Sequence, residues 1–146
     1  MKFEVMNREN AKEYSYKSHT ETSIIISISS ACSEGLLFQK NNVNGIKAVL
    51  PIFFDDVENG EKFAITTKDA MQIAKFVKSN KDVVDKIIVH CDAGVSRSAG
   101  VCAAIMKYIN GDDMPIFRSA RFCPNMLCYT KVLTALFGEP TSKEEN

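Results

Sequence analysis

A cysteine and an arginine stand six positions apart in His90-Cys91-Asp92-Ala93-Gly94-Val95-Ser96-Arg97-Ser98, with a glycine between them. Before them, Lys86-Ile87-Ile88-Val89 is a short β-branched run that reads as a buried strand feeding a turn. After them, Ala99 to Ile109 has the length and alanine content of a buried helix, with Asn110 and Gly111 as its stop. Strand, loop and helix in that order gather successive backbone N–H groups and the positive end of a helix dipole around one point, which binds an anion. A thiol at the mouth of such a loop has its thiolate stabilised by those N–H groups and by the Arg97 guanidinium, so Cys91 becomes a nucleophile. A planar five-donor fork grips the oxygens of a tetrahedral phosphate bidentately, which a lysine at the same place does not. The combination suits displacement at phosphorus.

The elements that must position this loop follow from hydrophobic pattern and turn chemistry. Lys2 to Met6 alternates apolar and polar as a first strand, and the polar stretch Asn7 to Tyr16 holds a short helix. Ser23 to Ser29 is a buried strand on its β-branched content, left by a loop from Ser29 to Gly35. Asn41-Asn42-Val43-Asn44-Gly45 is turn chemistry, handing over to a strand from Ile46 to Phe54 in which Pro51 implies an edge position or a bulge. An acidic loop, Asp55 to Gly60, comes next. Thr66 or Thr67 caps a helix whose apolar face carries Ala70, Met71, Ile73, Ala74, Phe76 and Val77, ending near Ser79-Asn80. Pro115 suits the first turn of a short helix through about Arg121, and Asn125 to Phe137 is a final helix closed by Gly138 and Pro140. Strands alternating with helices indicate a single α/β domain over residues 1–140, a largely parallel central β-sheet flanked by α-helices, with a frayed polar tail at 141–146. In such a sheet the reactive loop lies at the carboxyl ends of the strands, where ligands bind.

Composition narrows the classes. With 146 residues the chain has room for one domain with a proper core, and 18 basic against 18 acidic residues give a formal net charge of zero. Nothing in that balance suggests a nucleic-acid or membrane surface, so any cationic patch is local, with Arg97, Arg118 and Arg121 as the place to look. Five cysteines without metal-ligand spacing, and two histidines far apart at His19 and His90, point to a reducing cytoplasm and to no metal. The start lacks the apolar stretch of a signal peptide, and no window approaches a membrane span.

His-Cys-x-x-Gly-x-x-Arg-Ser resembles the signature of the cysteine-dependent protein tyrosine phosphatases, and the short chain resembles their dual-specificity branch. The resemblance implies that the N–H groups of Asp92, Ala93, Gly94, Val95, Ser96 and Arg97 hold the phosphate and that phosphate, sulfate or vanadate are site ligands. It implies that His90 orients the loop and holds the thiolate by hydrogen bonds, and that the Ser98 hydroxyl assists the thiolate as a leaving group. It requires no cofactor. Blander readings stand beside these: His90 as a satisfied core side chain, Ser98 as a helix cap, and Cys32, Cys102, Cys123 and Cys128 as ordinary thiols.

Forming a phosphocysteine requires the leaving oxygen to be protonated, and the Asp55-Asp56 loop is the natural source of that acid. Asp56 lies 35 residues before Cys91, about the separation between acid and cysteine in dual-specificity enzymes. The Phe54-Asp55-Asp56-Val57 surroundings resemble small bacterial members in which the aspartate preceding the branched aliphatic is the acid, so Asp56 is preferred to Asp55. Arg121, Pro124 and Asn125 resemble a Pro-Asn element that supports the loop in many dual-specificity phosphatases; a helix N-cap at Asn125 serves equally well as an account. The family's downstream glutamine has no clear match. No tyrosine-bearing loop deepens the pocket, so a shallow site accepting phosphotyrosine, and phosphoserine or phosphothreonine, on a protein is the first expectation. A metabolite, lipid or RNA 5′ phosphate is the second. A phosphoprotein-binding module without catalysis, and a redox or sulfur-transfer enzyme with Cys102 or Cys128 as resolving thiol, are the rivals.

Overall fold

The structure is a computed structural model that describes residues 1–39 and 43–138. The expected turn residues Asn41 and Asn42, the closing Pro140 and the expected tail at 141–146 therefore lie outside the described residues. Nine elements follow in order: β1 Lys2–Met6, α1 Arg8–Ser15, β2 Ser23–Ser29, β3 Ile46–Phe53, α2 Thr67–Asn80, β4 Lys86–His90, α3 Arg97–Asn110, α4 Met114–Phe117 and α5 Met126–Phe137. The four strands form one sheet in the order β1-β4-β2-β3, and every neighbouring pair is parallel.

The period of two along β2 divides the core. Ile24, Ile26 and Ile28 face α2, α3 and α5 together with Ile87 and Val89 of β4, forming the larger cluster. Ile25 and Ile88 face the other way, against Ala11 and Tyr14 of α1 and the Leu36 and Phe38 side chains. With both faces covered, β2 is buried along its whole length, which is why it reads as a continuous apolar run. Burying an isoleucine contributes about 1.5–3 kcal/mol, so these strands hold the frame on which the loops are mounted. Pro51 lies in β3, the edge strand, where its missing N–H costs no ladder bond on the open side.

Helix ends follow their caps. Thr66 and Asp69 form a reciprocal capping box at the start of α2, Asn7 caps α1 through Asn10 N–H, and Gly111 ends α3 at φ 77°. α3 begins at Arg97, two residues before the expected start, and its N-cap position is Ser96 without a side-chain cap bond. Ser98 is therefore inside the first turn and is not the cap. α4 is confined to Met114–Phe117, and the chain from Arg118 to Asn125 is not helical, so the expected helix through Arg121 is shorter than its sequence suggests.

Because all four strands run the same way, the segments leaving β1, β2, β3 and β4 emerge at one edge of the sheet. Asn7-Arg8, Ser29-Ser30, the Asp55 loop and the Cys91 loop meet there.

Candidate active site

The Cys91 loop is shaped by bonds that its carbonyls make outward. The Cys91 carbonyl accepts from His90 Nδ1 at 3.2 Å, the Asp92 carbonyl from Arg8 N–H at 3.1 Å, and the Val95 carbonyl from Cys123 N–H at 3.0 Å. The Ser96 carbonyl accepts from both Gly100 and Asn125 N–H at 2.9 Å. In a trans peptide the C=O and the following N–H point in opposite directions, and no cis bond occurs among the described residues. Anchoring those carbonyls outward turns the N–H groups of Asp92, Ala93, Ser96 and Arg97 to the concave side, which makes an anion nest. Gly94 is needed at the bend: its φ is +71°, and a Cβ there would lie 2.7 Å from Asn7 N and 2.8 Å from Met6 C.

Cys91 is buried at the base of the loop, with Sγ 3.0 Å from Ser98 Oγ and 3.5 Å from Ser98 N. A thiolate at this position accepts both hydrogens. His90 does not reach the sulfur. Its Nδ1 lies against the Cys91 carbonyl, which can only accept, so Nδ1 carries the proton and Nε2 accepts from Ser27 Oγ at 2.6 Å. Burial is the main cause that holds this imidazole below its ordinary range, favouring the neutral tautomer. Of the two roles the resemblance implied for His90, the bond to the Cys91 carbonyl fits orienting the loop, while the sulfur has its hydrogen bonds from Ser98.

Arg97 is also buried. Its Nη1 donates to the Phe54 carbonyl at 2.9 Å and to Ser30 Oγ at 3.4 Å, and Nη2 donates to Asp92 Oδ2 at 3.2 Å. Three of five donors are thereby used to hold the plane, leaving Nε–H and one Nη2 hydrogen for an anion. A buried guanidinium without partners would be costly, and the Phe54 carbonyl and Asp92 compensate it.

The two aspartates of the acidic loop diverge. Asp55 Oδ1 accepts from Ala31 N–H at 2.9 Å and ties the acidic loop to the loop after β2. Asp56 Oδ1 accepts from Ser96 Oγ and from Asn125 Nδ2, each at 2.8 Å, which brings it against the Cys91 loop. Both donors go to Oδ1, and Oδ2 of Asp56 has no protein donor among the described residues. Asn125, fully buried, joins three elements: Oδ1 caps α5 through Cys128 N–H at 3.0 Å, Nδ2 also donates to the Val57 carbonyl at 3.1 Å, and its N–H reaches Ser96. The N-cap and the loop-supporting accounts of Asn125 are therefore both seen. Gly100 permits this approach, since a Cβ there would sit 2.3 Å from the Asn125 carbonyl.

Other expectations fare differently. Arg121 donates to the Val5 carbonyl at 3.1 Å and stacks over Phe122, so it is occupied with β1. The cation beside the loop is Arg8, bonded to Ser29 Oγ at 3.3 Å and the Glu34 carbonyl at 3.1 Å, with Asp92 Oδ1 3.9 Å away. Sequence reading missed Arg8, and Ser27 and Ser30 with it; the signal was their position at the ends of parallel strands. Burial pushes the Cys102 thiol up to about 12 and also raises Cys128, so neither is a ready resolving thiolate. Among the described residues no three His, Cys, Asp or Glu side chains are grouped to hold a metal, and no helix is long and apolar enough to cross a membrane.

The sheet order, its helical layers and the loop at the strand ends define an α/β domain with the dual-specificity phosphatase fold, as the signature implied. No family model and no curated sequence matches the chain. Among solved structures, human DUSP28 superposes with a TM-score of 0.61 at 16% identity, over 92% of this chain and 90% of that one. Tk-PTP in its active form gives 0.52 at 16% identity, over 92% and 88%. PTPMT1 in complex with PI(5)P gives 0.52 at 14% identity, over 80% and 76%.

Proposed function

We propose that the chain hydrolyses phosphate monoesters through a phosphocysteine on Cys91. The observation that carries this reading is the tie between Asp56 and the Cys91 loop through Ser96 Oγ, because it supplies an acid to a loop that already has a thiol, an arginine fork and an N–H nest. Cys91 Sγ attacks phosphorus as the ester oxygen departs, and that oxygen takes the proton from Asp56. The phosphoryl oxygens rest on the loop N–H groups and on the remaining Arg97 donors throughout. Asp56, now a carboxylate, then takes a proton from water, which attacks the phosphocysteine. The sulfur leaves as a thiolate met by Ser98 Oγ at 3.0 Å. Phosphate and the alcohol are the products, and no cofactor enters.

Phosphotyrosine, and phosphoserine or phosphothreonine, of a protein fit this chemistry, as does a small phosphorylated molecule. The second class is favoured by a cavity beside the loop, described below. The test is turnover of phenyl phosphate by the purified protein, sensitive to vanadate and abolished in Cys91→Ser. Turnover that survives Cys91→Ser, or none in the unaltered chain, overturns the reading and leaves a binding module.

A further inference from the structure

The loop is not the only anion-seeking feature at this edge. A cavity of about 490 Å³ opens directly beside it, sharing Asp92 and Ala93 with the loop and lined otherwise by the start of α1 and by Leu36. Arg8 and Lys12 enter it from α1, four residues apart and hence on one helical face. Arg8 is anchored by Ser29 and the Glu34 carbonyl, so its guanidinium stands in a fixed place beside the nest. Lys12 forms no ion pair among the described residues. Two basic residues, Arg8 and Lys12, and two acidic ones, Glu9 and Asp92, share the lining; Asp92 is drawn to Arg8 and Arg97, at 3.9 and 3.2 Å, which leaves Lys12 as the cation there without an ion pair among the described residues.

We infer that this cavity is a second anion subsite, in which Arg8 and Lys12 receive a second phosphate carried by the same small substrate. The inference rests on the phosphatase reading of the loop and deepens it by naming the substrate class, a compact bisphosphate. Three features favour a small molecule over an acidic peptide. The volume lies within the range of about 300–1,000 Å³ common for small-ligand pockets. Leu36 is its one large apolar lining residue, so nothing there would seat the side chains of an extended peptide. An arginine fork beside a flexible ammonium suits a phosphate's several oxygens better than a single carboxylate.

The experiment compares kcat/KM for fructose 1,6-bisphosphate and fructose 6-phosphate, with phenyl phosphate as the reference for the reaction itself. The expected ratio of bisphosphate to monophosphate is about tenfold or more at low salt, falling as ionic strength rises. Lys12→Glu and Arg8→Gln each reduce that ratio at least about threefold; Lys12 is exposed, so its variant reports even if Arg8→Gln disturbs the fold. A ratio near one in the unaltered chain, or one that ignores Lys12→Glu, overturns the inference while phenyl phosphate turnover upholds the reaction. So does a preference for phosphotyrosine peptides flanked by glutamate over those flanked by alanine, without one for the bisphosphate. If phenyl phosphate is not turned over, titration of Cys91→Ser protein with the two sugars decides separately: tighter bisphosphate binding that depends on Lys12 retains the subsite and removes the catalysis, and equal binding removes both.

Discussion

Asn125 is the residue through which the acid, the Cys91 loop and α5 are coupled, and truncating it separates those roles. In Asn125→Ala, α5 loses its cap, worth about 1 kcal/mol. The half-buried Val57 carbonyl loses its side-chain donor and the exposed Asp56 keeps only Ser96; water can replace these donors, so the loss adds about 0.5–1.5 kcal/mol. The expected loss is therefore about 1.5–2.5 kcal/mol, read as a lowered urea midpoint with unchanged slope, and small enough for a domain of ordinary stability of about 5–15 kcal/mol to stay folded. Asn125→Ser restores the cap and recovers about 1 kcal/mol, but its short side chain cannot span to Asp56. Activity separates the two roles further. An acid that is no longer held over the leaving oxygen costs about 10- to 100-fold in kcat on an alkyl phosphate, within the range of general acid catalysis. Aryl esters with acidic leaving groups need that proton less and should lose little. The reasoning is refuted if Asn125→Ser regains full activity on alkyl phosphates, or if both variants slow all esters equally, since the amide would then be serving α5 alone.

Two further outcomes are expected. Asp56→Asn lowers the rate at acidic pH far more than Asp55→Asn, because Asp55 is turned to Ala31 whereas Asp56 meets the Cys91 loop; rate profiles of both variants against pH check this, and the reverse order would transfer the acid's role to Asp55. His90, held below its ordinary range mainly by burial, stays neutral in the folded chain while the unfolded chain takes up its proton as pH falls through about 6.5, so stability drops from that pH down to the folded-state value and then levels. Urea midpoints between pH 7.5 and pH 5 should consequently fall more steeply for the unaltered protein than for His90→Gln, and parallel slopes would rule the imidazole out as their source.

How much of this was visible before folding depends on distance along the chain. The signature loop is contiguous, and its flanking strand and helix are set by β-branched and alanine-rich runs, so their order and the anion nest follow from local preference. The buried β2 was legible for the same reason, and Pro51 left an edge position or a bulge open for β3, between which the strand order chose the edge. Helix limits were less so: α3 starts at Arg97 because the Ser96 carbonyl accepts Gly100 N–H, a bond that apolar periodicity does not report.

The sequence by itself determined that a thiol, an N–H nest and a guanidinium meet in one loop of a parallel α/β domain. Only the tertiary structure decided which neighbours that loop has. Asp55 and Asp56 are adjacent and chemically alike, and what distinguishes them is the direction each carboxylate takes once Ala31, Ser96 and Asn125 present their donors. Arg8 comes beside Asp92 because β1 pairs with β4 in parallel, so that the chain leaving Met6 and the chain leaving His90 emerge together. The Asn125 amide reaches Asp56 because Gly100 lets α5 approach α3 closely. Such contacts join residues dozens of positions apart, and their geometry is fixed by strand order and close packing, which local propensity does not encode.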